Sequence, residues 1–192
     1  KTFTMQTMAL RMRRKGIQVF IIAPLKGHEF YRAARNVGGE FIQISPASKN
    51  CINIMEIRKV DNSVNELLDG PTLDASALAG KIQRLHIFFS LLIPDMSHEE
   101  KQLLDEALIK TYARKGITHK NESLTDPQHP EQYKKMPILE DVYNVLLESE
   151  DTKRLAHILN RLVHGSASSF NQQTNVDLTN KYTVLDISEL TG

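Results

Sequence analysis

Residues 17–23 read Ile-Gln-Val-Phe-Ile-Ile-Ala, an almost continuous apolar run of strand length. A run of this kind is typical of a parallel strand that is covered on both faces. Pro24 follows it directly and ends the strand. The pattern therefore predicts a buried parallel strand, and parallel strands need a crossover connection, usually a helix, between them.

Helices are predicted on both sides of this strand. Residues 2–15 place apolar side chains at helical spacing and end in basic residues, which suit a helix C-terminus, before Gly16. Residues 28–37 predict a short helix closed by Gly38-Gly39, and residues 41–44, Phe-Ile-Gln-Ile, predict a second strand. The order helix, strand, helix, strand predicts an α/β fold with a parallel sheet.

From Leu73 to Val163 the pattern is nearly all helical, which predicts a separate helical subdomain. The predicted helices and their boundary signals are 74–93 with Asp74 as cap, 97–116 with a capping box at Ser97 and Glu100, 138–147 with Pro137 in its first turn, and 152–163 before Gly165. Residues 117–136 are polar, carry prolines and predict a loop.

A strand pattern returns at residues 182–187, Tyr-Thr-Val-Leu-Asp-Ile. The helical block is therefore expected to interrupt a sheet domain. The predicted organisation is the first part of the sheet domain in 1–62, the helical insertion in 63–168 and a return to the sheet in 169–192.

The composition is that of a globular chain. Its 192 residues are 41% hydrophobic and 24% charged, and the formal net charge of +1 supports no claim for a nucleic-acid or membrane partner. The longest apolar stretch, residues 85–93, is about half a bilayer span, so no membrane-spanning segment is predicted. A single cysteine, Cys51, excludes an internal disulfide and indicates a reducing compartment such as the cytoplasm.

The first two residues, Lys1 and Thr2, stand directly before a predicted helix. A phosphate-binding P-loop, Gly-x-x-x-x-Gly-Lys-Ser/Thr, ends in this pair and in this context: the lysine reaches the β- and γ-phosphates and the hydroxyl binds Mg²⁺. The pair alone is weak support, and the alternative is a solvated helix start at a cut. Because the chain lacks an initiator Met and stops soon after a predicted strand, we expect a fragment of a larger protein.

A second candidate site is the loop over residues 23–30, because it follows a predicted parallel strand at the edge where open α/β sheets bind ligands. Glu29 in this loop could orient a water molecule; the alternative is a first-turn glutamate favoured by the helix dipole. Residues 45–50, after the next strand, could add polar contacts or simply form a turn. The histidines form no i, i+4 pair, so a zinc site is not expected.

Several segments together resemble the large conjugative-transfer ATPases of type IV secretion systems, the VirB/Tra type of P-loop motor. The segments are Lys-Thr-Phe-Thr-Met-Gln at 1–6, Val-Phe-Ile-Ile-Ala-Pro at 19–24, Gly-Gly-Glu-Phe-Ile-Gln-Ile-Ser-Pro at 38–46, Ile-Asn-Ile-Met at 52–55 and the stretch 182–190. The likeness is closest to the versions on conjugative elements of Gram-positive bacteria. The helical block matches an all-α insertion of that family by position.

The resemblance implies a RecA-like P-loop NTPase sheet domain, interrupted by the all-α subdomain, that assembles as a hexamer and uses ATP and Mg²⁺. It implies that the parent protein energises transfer of DNA and protein through a membrane-bound channel. In that interpretation Lys1, Thr2, Phe3 and Thr4 bind the nucleotide, Thr2 also binds Mg²⁺ through its hydroxyl, and Glu29 is the catalytic candidate. The parent would lie in the cytoplasm at the inner face of the membrane, with other secretion components as partners.

The sequence departs from the family pattern in two segments. Family members usually carry Asp-Pro-x-x-Glu-Tyr after the strand that corresponds to residues 17–23, whereas this chain has Ala23-Pro24 and a longer spacer to Glu29-Phe30. In the second segment, Ile-Asn-Ile-Met at residues 52–55 replaces the usual Ile-Asn-Pro-Leu/Phe. The Walker B acidic pair and the arginine that acts across a subunit interface are expected beyond Gly192. A lysine at a free chain end lacks the constrained glycine loop, so we expect this chain to hold no ATP or Mg²⁺ and to be inactive, unlike its parent.

Two alternatives stay open. One is a structural module in which the helical block binds another secretion component and the α/β part is only a scaffold. The other is a DNA-translocating motor of the same superfamily, which would need a basic pore-facing loop that the sequence does not clearly show. The residues upstream of Lys1 discriminate the enzyme from the scaffold, because a Gly-x-x-x-x-Gly there favours the enzyme.

Overall fold

The structure is a computed structural model that describes residues 2–23, 25–45, 48–58, 76–165 and 170–190. The chain forms two compact units, one made of Lys1–Ile52 with Ser166–Gly192 and the other of Asn53–Gly165. We call the first the sheet unit and the second the helical unit. The predicted domain boundaries, 62/63 and 168/169, lie outside the described residues.

The sheet unit contains, in its described part, a three-stranded parallel sheet. Its strands are β1 (Val19–Ala23), β2 (Glu40–Gln43) and β3 (Tyr182–Asp186). The strand order is β1-β3-β2, so the last strand in sequence lies in the middle and pairs with both others. The predicted parallel sheet and the predicted return to it after the helical block are confirmed.

Two helices of the sheet unit pack on this sheet. They are α1 (Thr2–Arg14) and α2 (Tyr31–Asn36), and a 3₁₀ turn over Gly27–Phe30 precedes α2. Gly16, with a φ of 81°, reverses the chain between α1 and β1, a conformation that favours glycine. The buried core of the unit consists of Ala9, Val19, Ala23, Phe30, Ala34, Tyr182 and Val184.

The prediction that β1 is covered on both faces is wrong for the described part of the chain. Val19 and Ala23 are buried in the core, whereas Phe20 and Ile22, which point to the other face, are 47% and 59% exposed. Among the described strands β1 pairs only with β3 and is therefore an edge strand. A continuous apolar run shows that both faces of a strand are apolar, but it does not show that another element covers each face.

The helical unit contains four α-helices in its described part. They are α3 (Ala77–Leu92), α4 (His98–Ala113), α5 (Leu139–Leu146) and α6 (Lys153–Val163). The predicted loop between α4 and α5 is confirmed; it carries a 3₁₀ turn over Asn121–Leu124 and an isolated bridge between Thr125 and Tyr133.

The start of α4 has the predicted capping box. Ser97 Oγ accepts a hydrogen bond from the backbone N–H of Glu100 at 3.1 Å, and the Glu100 carboxylate accepts one from the backbone N–H of Ser97 at 2.9 Å. The predicted cap of α3, Asp74, lies outside the described residues. The observed cap is Ser76, whose hydroxyl accepts from the backbone N–H of Ala79 at 3.2 Å.

The first turn of α5 differs from the prediction. The helix begins at Leu139 with Ile138 as its N-cap, so Pro137 precedes the cap and is not a first-turn residue. The Asp141 carboxylate accepts a hydrogen bond from the backbone N–H of Ile138 at 2.8 Å. A charged side chain at the third helical position thus sets the start of the helix, one residue later than the proline alone indicated.

The segment around residues 53–55 belongs to the helical unit and ties two of its loops and helices together. The side-chain amide of Asn53 donates to the carbonyl of Pro137 at 2.9 Å. The hydroxyl of Tyr112 on α4 donates to the carbonyl of Met55 at 2.5 Å, and both residues are fully buried. Burial raises the pKa of the Tyr112 phenol well above its usual range, so this donor stays protonated.

Lys81 on α3 makes the stability of the chain depend on pH. Burial and then the charges of Arg84 and Arg58 lower the pKa of Lys81 from 10.5 to about 8, against the raising effect of Glu56. The unfolded chain therefore binds more protons between these two pH values, and stability rises with pH across that window. We expect Lys81→Met to raise stability at pH 7 and to remove the rise, measured by urea unfolding from about pH 7 to pH 11. Lys101→Met, at an exposed position on α4, is the control and should keep the rise; an equal pH dependence in both variants would contradict the prediction.

Candidate functional site

The start of α1 and the loop after β1 lie at the same edge of the sheet. Helix α1 is followed by Gly16 and then by β1, so α1 runs opposite to the strands and begins at their carboxyl edge. The side-chain amide of Gln6 donates to the backbone carbonyl of Glu29 at 2.8 Å. This hydrogen bond joins the beginning of α1 to the loop, at the edge where open parallel sheets bind ligands.

The predicted nucleotide-binding residues fall on different sides of α1. Lys1 lies outside the described residues. Thr2 is half-buried and lies one turn before Gln6, hence on the helix face that meets the loop after β1. Phe3 is 80% exposed and Thr4 is exposed as well. The first turn of α1 carries no acidic residue, so no carboxylate within it offsets the positive end of the helix dipole.

The loop after β1 has an unusual backbone. Lys26 has a φ of 55°, which makes it the one non-glycine residue with a positive φ among the described residues. Non-glycine residues in this region are strained and persist where the surroundings fix them. The next residue, Gly27, is buried and begins the 3₁₀ turn.

The Glu29 side chain lies in this 3₁₀ turn and is 34% exposed. The Lys26 ammonium lies 3.9 Å from its carboxylate, but Lys26 is 73% exposed, so the pair is screened by solvent and weak. Glu29 is therefore accessible at the carboxyl edge and also occupies the first turn before α2. Both interpretations of this residue fit its position, and its catalytic role stays a prediction.

Asp186 also lies at this edge, a position that the sequence alone did not indicate. Asp186 ends the middle strand β3, is 5% exposed, and pairs in register with Ala23 on one side and Gln43 on the other. The backbone N–H and the hydroxyl of Ser188 both donate to its Oδ1, at 3.0 and 2.7 Å. An aspartate at a strand end with a serine two residues later is the signal that could have identified this turn.

The described residues of the segment 45–50, which exclude Pro46 and Ala47, form a turn. Ser48 Oγ and the Asn50 side-chain amide both donate to the carbonyl of Gln43, at 2.9 and 3.0 Å. Their polar groups are thus used to close the turn after β2. This arrangement favours the interpretation of the segment as a turn over its interpretation as a source of polar contacts to a ligand.

Cys51 is buried, and burial raises the pKa of its thiol. A buried protonated thiol is a poor nucleophile. Across residues 2–58 and 76–190, apart from the undescribed positions, no cluster of three or more His, Cys, Asp or Glu residues could hold a metal ion. Over the same part of the chain, every helix is too short or too polar to span a bilayer.

Comparison with solved structures finds a similar fold over the full length of this chain. No family model matches the chain, and no curated protein matches it. The fold is similar to the solved structure of VirB4 from Thermoanaerobacter pseudethanolicus, with a TM-score of 0.78 and 27% sequence identity. The match covers 100% of this chain and 67% of that chain, so both units take part in it. This similarity confirms the resemblance seen in the sequence, and it supports the VirB4-type conjugative ATPase family.

Proposed function

We propose that this chain is part of a P-loop ATPase that powers conjugative transfer of DNA and protein through a type IV secretion system. The carboxyl edge of the sheet unit is its nucleotide site. The observation that carries the proposal is the hydrogen bond from the Gln6 side chain to the carbonyl of Glu29. It joins the beginning of α1, which contains Thr2, to the loop that contains Glu29, the predicted catalytic residue. The likeness to VirB4 supports the ATPase class.

The residues proposed for this site suit a phosphate-bearing ligand. The ammonium of Lys1 neutralises negative charge on the β- and γ-phosphates, and the backbone N–H groups of Phe3 and Thr4 at the helix start donate hydrogen bonds to phosphate oxygens. The Thr2 hydroxyl would hold Mg²⁺, and that ion would supply positive charge that neutralises the phosphates. Glu29 accepts a hydrogen bond from the attacking water and orients it toward the γ-phosphate.

Other parts of the proposal rest on the family likeness alone. They are a hexameric assembly, a position in the cytoplasm at the inner face of the membrane, contacts with other secretion components, and indirect contact with the transferred DNA. The acidic pair and the arginine that complete such a site are assigned to parts of the parent protein outside this chain.

The test compares ATP binding and phosphate release by this chain and by a version extended at both ends. We expect the extended protein to bind and hydrolyse ATP, and the 192-residue chain to do neither measurably, because a lysine without a constrained glycine loop offers a charge but no nest of N–H groups. Turnover by the shorter chain would contradict the role given to the upstream loop. An extended protein that neither binds nor hydrolyses ATP would overturn the proposal.

One observation favours a second candidate function, binding of another secretion component by the helical unit. Ile87 and Leu91 lie one turn apart on α3 and are 64% and 77% exposed. Exposed apolar side chains on one helix face are typical of a protein-binding surface when they are part of a larger patch. This candidate becomes the leading one if the extended protein has no ATPase activity.

A further inference from the structure

The carboxylate of Asp186 and the backbone of Gly27 are in direct contact. A β-carbon at position 27 would lie 2.1 Å from Cγ of Asp186 and 2.2 and 2.5 Å from its two oxygens. Real β-carbons do not approach heavy atoms this closely, so any other residue at position 27 must displace the loop or the carboxylate. The loop backbone therefore rests against the end of β3.

The Asp186 side chain is itself firmly held. It is 5% exposed and accepts two hydrogen bonds from Ser188, and the N–H of Ile187 donates to the carbonyl of Ala23 at 3.1 Å. The carboxylate thus projects from the rigid end of the middle strand, which is paired on both sides. It is a fixed support, since any movement would break these bonds.

The loop is restrained on its other side by α1. Gln6 holds the carbonyl of Glu29 at 2.8 Å, and Lys26, directly before the contact point at Gly27, keeps a φ of 55°. A strained residue next to a fixed point indicates that the loop conformation is imposed by its surroundings. The two points of support are Asp186 beneath Gly27 and Gln6 beside Glu29.

We propose that Asp186 is a positioning residue that sets the place of the Glu29 loop relative to the start of α1. It acts through its contact with Gly27 and touches no substrate. The inference rests on the proposed function for the role of Glu29, but the position of the loop can be measured without nucleotide. Its support is steric, so the shape of the side chain matters more than its charge.

The first test uses the 192-residue chain and needs no activity. We expect Asp186→Ala to shift the NMR signals of the Gln6 side-chain amide and the Glu29 backbone amide, because the loop loses its support. Asp186→Asn has the same shape, can still accept from Ser188, and should leave both signals nearly unchanged. Glu189→Gln, at the neighbouring carboxylate that accepts from Gln43, is the matched control and should also leave them unchanged. Unchanged signals in a folded Asp186→Ala protein would overturn the inference.

A double-substitution cycle tests the contact directly. Gly27→Ala alone should displace the loop, whereas the added methyl group finds room in the Asp186→Ala background. The double variant should therefore shift the Gln6 amide less than the two single shifts added together. Additive shifts would contradict the contact.

The second test uses the extended protein. Because a small misplacement of a catalytic group can cost about 100-fold in rate, we expect Asp186→Ala to lower kcat by 10-fold or more, with less than about a threefold change in KM for ATP. Asp186→Asn should restore most of the rate. Wild-type kcat in Asp186→Ala would overturn the positioning role, whereas absence of turnover in the unsubstituted extended protein would count against the proposed function and leave the NMR test decisive for the loop.

Discussion

Lys1→Ala in the extended protein should lower ATP turnover by about 100-fold or more. A preorganised cation that stabilises charge on the transferred phosphoryl group contributes mainly in the transition state, so the loss should appear in kcat at saturating ATP. Thr2→Ala should also be strongly impaired, and Thr2→Ser, which retains the hydroxyl that would bind Mg²⁺, should keep most of the activity. The measurement is steady-state phosphate release.

A matched control for Lys1→Ala is Lys15→Ala. Lys15 is an exposed residue just after the other end of α1, at the amino edge of the sheet, far from the proposed site. It should retain full turnover, which separates loss of the phosphate-binding charge from loss of any charge near this helix. Equal turnover in the Lys1→Ala and unsubstituted proteins would contradict the P-loop assignment.

Phe89→Ala should destabilise the chain by about 3–5 kcal/mol. Phe89 lies on α3, is 0% exposed, and contacts Phe88 edge-to-face with ring centroids 5.4 Å apart. Its truncation removes a large buried apolar surface and leaves a cavity that the surrounding helices fill only in part. Urea unfolding followed by the far-ultraviolet helix signal measures the effect.

The control for Phe89→Ala lies two residues away on the same helix. Ile87 is 64% exposed, so Ile87→Ala should change stability by less than about 0.5 kcal/mol. Both substitutions introduce alanine into α3, which keeps helix propensity nearly matched. A similar loss of stability in the two variants would show that Phe89 does not anchor the core of the helical unit.

Local signals in the sequence were sufficient for most elements. The apolar run at β1, the glycine after α1 and the Ser97 capping box each act within a few residues, and each predicts an observed element. The start of α5 was misplaced because the Asp141 carboxylate, and not Pro137, sets it. Two boundary signals competed there, and spacing alone did not decide between them.

Long-range features could not be predicted in the same way. The order β1-β3-β2 depends on which strands pair, and a strand pattern carries no information on its neighbours. Likewise, the contact between Gly27 and Asp186 joins residues that are far apart in sequence. The α/β pattern predicts which edge of the sheet holds the candidate site. It does not predict that Asp186, like Glu29, lies at that edge, because this follows only from the strand pairing.

The central position of β3 has a consequence for the way the protein is made. β1 and β2 pair with β3 and not with each other, and β3 follows the entire helical unit in sequence. On the ribosome, both early strands emerge before β3, their partner in the described sheet, because more than a hundred residues separate them from it, of the order of ten seconds of synthesis at typical elongation rates. The helical unit, with its more local contacts, can fold in that interval. The described sheet that carries the proposed nucleotide site is therefore completed after the helical unit is made, and its apolar strands are open to aggregation until β3 is available.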